Sequence, residues 1–209
     1  MKIIKRLRRI YFAKGLLFLI ATTLTGCLGS STPSTFYMLR SLESAASEKT
    51  SPLKSNKAVS VLLGPISLPG YLDRTQMVTL AGKHQLDMYE FSRWAESLKE
   101  GFYRVLQEDL STLLGTPAVY RYDRGNFATA GYQLIIDVSR FDAVSGGEAV
   151  LKAFWTLRCK ETDTAGITRQ FVFRTPVSGV GFPGLVNAQN DTLSAFSREI
   201  AKTIRSMAD

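Results

Sequence analysis

Apolar residues change their spacing several times along this chain, and each change predicts an element. Val59, Val61 and Leu63 alternate with smaller or polar neighbours, the period-two pattern of a half-buried strand, which Gly64-Pro65 is expected to end. Residues 75–80 and 84–90, split by Ala81-Gly82-Lys83, predict a hairpin with a short glycine-containing loop. From Phe91 the spacing becomes three and four. Phe91, Trp94, Leu98, Phe102, Val105 and Leu106 begin an apolar stripe that runs to Leu114, with Ser92 as expected N-cap and Gly115 and Pro117 as the stop. Three strands follow. Tyr132, Leu134, Ile136 and Val138 alternate in the first; residues 150–160, after the Gly146-Gly147 turn, make the second, and residues 168–177 the third. A Gly/Pro-rich loop over 178–184 leads to a helix near 187–207, whose stripe is Leu193, Phe196, Ile200, Ile204 and Met207. Lys202 and Arg205 stand near its C-terminus, where the helix dipole favours cations. The succession predicts an α+β fold: an antiparallel or mixed β-sheet with two amphipathic helices packed on one face.

The first residues follow a different pattern. Residues 1–14 are basic, and residues 15–24 are an apolar run of about ten, shorter than the roughly 20 needed to span a bilayer. That is the layout of a secretory signal peptide over 1–26. Its end, Leu24-Thr25-Gly26-Cys27, looks like a bacterial lipobox, in which Cys27 is acylated and becomes the first mature residue. Each buried CH₂ adds about 0.8 kcal/mol, so two or three chains of palmitate length hold a protein on a membrane stably. Leu28, rather than Asp, follows the cysteine; by resemblance to bacterial lipoproteins this points to the outer membrane. Residues 27–57 then comprise the acylated Cys, a Ser/Thr/Pro tether, a short strand at Phe36-Tyr37-Met38-Leu39 and a polar linker over 41–57. Residues 58–209 are expected to form a single domain.

Charge adds less than it first suggests. The formal net charge is +8, from 26 Lys and Arg against 18 Asp and Glu. Six of those cations lie in residues 1–26 with no acid among them, leaving 20 basic against 18 acidic side chains (26 − 6 = 20). The mature chain is nearly neutral, which removes the case for a nucleic-acid partner. Apolar residues at 45% and aromatics at 11% exclude global disorder.

Candidate chemistry is sparse. With Cys27 acylated, Cys159 has no partner for a disulfide, and two Cys with one His do not make a usual zinc set, so no metal site is expected. Cys159 continues the face of Ala153, Trp155 and Leu157 and reads as a small buried hydrophobe. Residues 179–184 match G-x-G-x-x-G, but no βαβ unit follows and Pro183 removes an N–H from the loop, so no dinucleotide or other cofactor is expected. His84 is the only histidine and there is no G-x-S-x-G elbow, so no residue is nominated as catalytic. Glu108-Asp109 falls on the polar part of the first helix, and Glu96/Lys99 and Glu100/Arg104 have ion-pair spacing. One segment stands out: residues 64–74, GPISLPGYLDR. It is either a connection packed on the core or a rim that presents Tyr71, Leu72 and Arg74, residue types suited to protein interfaces.

The pieces resemble, in order, the PqiC-type family of ABC-transporter auxiliary lipoproteins. They are the lipobox, Phe36-Tyr37-Met38-Leu39, residues 61–68 running into Pro69-Gly70-Tyr71-Leu72-Asp73-Arg74, then Arg93-Trp94-Ala95-Glu96-Ser97-Leu98, residues 132–138 leading to Arg140-Phe141-Asp142, and Trp155. The resemblance implies a non-enzymatic outer-membrane lipoprotein facing the periplasm. Such proteins work with a membrane protein and a PqiB-like MCE-domain protein in lipid transport between the two membranes. It implies Cys27 as lipidation site and Tyr71, Leu72, Arg74 and Trp94 as partner-binding positions. A homo-oligomeric ring around a tubular partner is compatible with this role. Two rivals remain: a lipoprotein carrying lipid in its own apolar pocket, and a periplasmic hydrolase using His84.

Overall fold

In a computed structural model of the chain, the described residues are Lys14 and residues 32–42, 59–82, 84–124, 130–160 and 166–208. The chain divides into residues 1–33 and 34–209, and the elements below belong to the second unit. In order they are β1 (Thr35–Tyr37), β2 (Val61–Ser67), a 3-10 turn (Gly70–Leu72), β3 (Gln76–Leu80) and β4 (Leu86–Trp94). Then come α1 (Leu98–Leu114), β5 (Val119–Arg121), a second 3-10 turn (Tyr122–Arg124), β6 (Tyr132–Ala143), β7 (Glu148–Cys159), β8 (Ile167–Pro176) and α2 (Gly181–Ala208).

The expected α+β class holds, but the strands divide into two mixed sheets. The larger has the order β5-β2-β6-β7-β8, with β2 parallel to both β5 and β6 and the β6-β7-β8 run antiparallel. The smaller has the order β1-β4-β3, with β1 parallel and β3 antiparallel to β4. β1 thus ties the short strand that precedes the polar linker into the main unit.

Both helices cover the larger sheet. The inward residues Leu134, Ile136, Val138, Ala153, Trp155 and Leu157 form one buried cluster with Phe102, Leu106 and Leu110 of α1 and with Leu193, Phe196 and Ile200 of α2. Ring contacts knit the layers: Phe102 lies 5.5 Å from Phe141 and 6.3 Å from Phe196, and Phe171 lies 4.9 Å from Phe196. Each such buried side chain contributes about 1.5–3 kcal/mol of transfer free energy.

Four boundaries differ from the sequence expectation, each for a local reason. β2 does not stop at Gly64-Pro65. It runs through a cis Gly64–Pro65 bond with a register shift between Leu63 and Ile66, and Gly64 takes φ 114°, a conformation that disfavours side chains. A Cβ there would lie 2.6 Å from the Tyr103 hydroxyl, which accepts the Ile66 N–H at 2.8 Å. β4 continues through Trp94 because both its neighbours supply backbone partners. The Trp94 N–H donates to Thr75 O, and the Ala95 N–H to Tyr37 O. Phe91 and Trp94 are therefore strand residues, and α1 starts later, with Ser97 rather than Ser92 accepting the Glu100 N–H. Its end matches: Gly115 is the left-handed C-cap. β5, a strand of three residues, escaped the pattern because it is too short to show a period. α2 starts at Gly181, and Pro183 falls in its first turn, where a missing N–H costs nothing.

Three side-chain expectations are corrected. Asp109 is wholly buried, not on a polar face. It accepts the Leu42 N–H at 2.8 Å and the Ser197 hydroxyl at 2.7 Å, and burial pushes its carboxyl pKa up. Glu100 pairs with Arg121 and Arg124 rather than Arg104, which pairs with Glu96 and Glu108. Arg121, itself buried, also stacks 4.3 Å above the Tyr103 ring and binds Asp123. Finally, Cys159 is only half-buried, because β7 ends there, opposite Tyr132 at the start of β6.

Candidate functional site

Residues 67–76 connect the two sheets, and their backbone is closed on itself. The Leu72 N–H donates to Pro69 O at 2.9 Å and the Arg74 N–H to Leu72 O at 2.9 Å, so Gly70–Leu72 forms a tight 3-10 turn. The turn sends its two apolar residues to different places. Leu72 is 4% exposed and packs in the main core. Tyr71 is half-buried, and its hydroxyl donates to Asp142 Oδ2 at 3.4 Å. Asp142 is buried and held by Arg140, whose Nε donates to both carboxylate oxygens at 2.9 and 3.0 Å. Burial, then the Asp142 charge and hydrogen bond, push the Tyr71 pKa up to about 12, so the hydroxyl stays a donor across the physiological range.

Arg74 points the other way, towards the smaller sheet. Its Nη1 reaches Met88 Sδ at 2.7 Å, while Nε is shielded from solvent without a hydrogen-bond partner. Trp94, at the end of β4 rather than at a helix start, is 6% exposed and belongs to the core. Of the four positions nominated for a partner, the structure therefore brings Tyr71 and Arg74 to the surface and places Leu72 and Trp94 inside. Cys27 lies outside the described residues. His84 is exposed between β3 and β4.

A feature that the sequence reading missed adjoins Arg74. The outward face of the smaller sheet is largely apolar. Parallel pairing places Phe36 beside Arg93 and Tyr37 beside Trp94. The second pair turns inward, where the Tyr37 ring meets Phe182 of α2 at 5.7 Å and Tyr89 meets the same ring edge-on at 4.8 Å. Phe36 consequently faces out, 62% exposed. Antiparallel pairing sets Val78 beside Met88 and Leu80 beside Leu86, and Met88 is 61% exposed. An ion pair between Arg93 and Glu90, with Gln76 Nε2 donating to Glu90 at 3.3 Å, crosses the middle. The register shift in β4 after Tyr89 hid this face, because a strict alternation count puts Met88 and Arg93 on opposite sides.

Among the described residues no group of three or more His, Cys, Asp or Glu could hold a metal. No described helix is long and apolar enough to cross a membrane. What the site offers is surface, with a tyrosine locked on an acid and an arginine bordering an apolar sheet face.

The family model for ABC-type transport auxiliary lipoprotein components matches residues 41–201. It spans every strand from β2 to β8, α1 and most of α2, with β1 lying before it, and the chain belongs to that family. It is an envelope lipoprotein that serves a transporter as an auxiliary component. Solved structures share the fold. A crystal structure described as an uncharacterized protein is 18% identical, with TM-score 0.66, and the match covers 83% of this chain and 99% of that one. A DUF330-family protein from Xanthomonas campestris is likewise 18% identical, with TM-score 0.64, over 80% of this chain and 93% of that one. No curated protein sequence matches the chain.

Proposed function

We propose that this protein is anchored by acylated Cys27 in the outer membrane, faces the periplasm, and docks an MCE-domain conduit of an ABC-type lipid transport system. The family match over residues 41–201 carries this reading, together with the lipobox at Leu24–Cys27 that precedes it. Its role is assembly rather than catalysis. Confinement to a membrane raises the effective concentration of the docking surface, so a modest intrinsic affinity suffices. Tyr71 and Arg74 are its contact residues, the first held in place by Asp142 and Arg140. Several copies arranged as a ring would present these residues repeatedly to a tubular partner. A lipid carried between helices and sheet would have to displace the rings of Phe102, Phe141, Phe171 and Phe196, which favours the docking role over a carrier role.

The test is affinity purification of the tagged protein from membranes. It should recover an MCE-domain protein, and Arg74→Ala should weaken that recovery while leaving acylation intact. Cys27→Ala should abolish membrane retention. A folded, acylated protein that recovers no MCE-domain protein would sink the partner assignment.

A further inference from the structure

We infer that the outward face of the three-stranded sheet lies against the lipid surface in which Cys27 is anchored; this rests on the acylation proposed above. The inward side of that sheet is already covered by Phe182 and the core, whereas Phe36, Met38, Leu86 and Met88 are exposed on the described surface. Chain length selects the occupant. β1 starts at Thr35, eight residues after Cys27, and belongs to this same sheet. Fully extended, eight residues reach roughly 25–30 Å, so an anchored Cys27 keeps β1 within that distance of the lipid. No other described strand is held so closely by the chain.

Residue types agree with an interfacial location. Phe, Met and Leu suit the headgroup–acyl boundary, where such faces enter by about 5–10 Å. Arginine stems lie along apolar surface while their guanidinium groups reach phosphate. Arg93 shares the face of Phe36 and supplies such a stem beside it. The Arg93–Glu90 pair across the middle keeps the contact shallow. Acyl chains hold the protein on the membrane; the sheet sets its orientation.

Fluorophore quenching in vesicles tests this. The mature acylated protein, with Cys159→Ser, is labelled through Met88→Cys or through Phe154→Cys on the outward face of the five-stranded sheet. It is then reconstituted into vesicles of phosphatidylethanolamine and phosphatidylglycerol. Brominated acyl chains should quench the label at 88 severalfold more than the label at 154, and iodide should show the reverse order. Equal access of iodide to both labels overturns the inference. So does protection at position 88 that grows with the protein-to-lipid ratio, which would identify a second copy as the occupant, or that requires added partner protein. Flotation reports the anchor separately. Protein that floats yet leaves position 88 open to iodide overturns the surface assignment alone, whereas protein that does not float because Cys27 is unacylated overturns the proposed function and this inference together.

Discussion

The five-stranded sheet turns Gln133, Asp137, Lys152 and Arg158 outward and buries Leu134, Ile136, Trp155 and Leu157 beneath α1 and α2, whereas the three-stranded sheet turns Tyr37 and Trp94 inward and leaves Phe36 and Met88 outside. Phe154 and Val172 are apolar exceptions on the larger sheet, each set among polar neighbours such as Lys152, Thr156 and Gln170. Both sheets turn one face inward and one outward, and both carry a register shift. They differ in what covers them: two helices shield one face of the larger sheet, and its bare face has the polar composition that water demands. The bare face of the smaller sheet does not, and an apolar face left uncovered signals an occupant.

The comparison can be tested by substitution, beginning where the largest effect is expected. Phe196→Ala in the five-stranded layer should cost about 3–5 kcal/mol, because Phe102 and Phe171 lose their packing partner. Denaturant unfolding measures it, and a loss near zero would mean that the helices do not close this layer. Gly64→Ala should cost about 1–3 kcal/mol, from a positive φ and an approach to the Tyr103 hydroxyl. In a Tyr103→Phe background the same change should cost less, since the closest clashing atom is gone; additive losses would contradict the clash.

Asp109 supplies a pH test of how the two helices are joined. Its folded pKa is raised by burial, so the folded state holds this proton more tightly than the unfolded chain does. Stability from the group is therefore fully present below the unfolded value and is lost as pH rises through the folded one. Acidification should move the stability of the wild type upward relative to Asp109→Asn, as read by thermal unfolding across a pH series; a parallel pair of curves would refute the burial effect. The smallest change belongs to the smaller sheet. Met88→Ser should alter folding stability by only about 0.5 kcal/mol or less, because the side chain is exposed, while weakening the lipid contact inferred above.

Much of the larger sheet was legible in advance. β6, β7 and β8 are ten to twelve residues long and alternate over most of that length, interrupted by a register shift after Val138, and the stripes from Leu98 and Leu193 onward recur at helical spacing. The smaller sheet was not legible as a sheet. β1 has three residues and pairs with a strand more than fifty positions away, a contact no local pattern encodes. Its bulged partner β4 carries Phe91 and Trp94 three apart, which mimics the start of a helix. The candidate site was half visible: the unusual composition of residues 64–74 marked the segment, but whether each apolar residue faced in or out depended on the 3-10 turn.

Sequence alone determined the two amphipathic helices and the α+β class, because each is written in local composition or in a short repeat. Tertiary structure alone decided that Leu72 and Trp94 are core, that Asp109 is a buried link between α1 and α2, and that Phe36 and Met88 share an exposed face. Those outcomes depend on strand order and on a register shift, and both are set by long-range pairing free energies that no window along the chain contains.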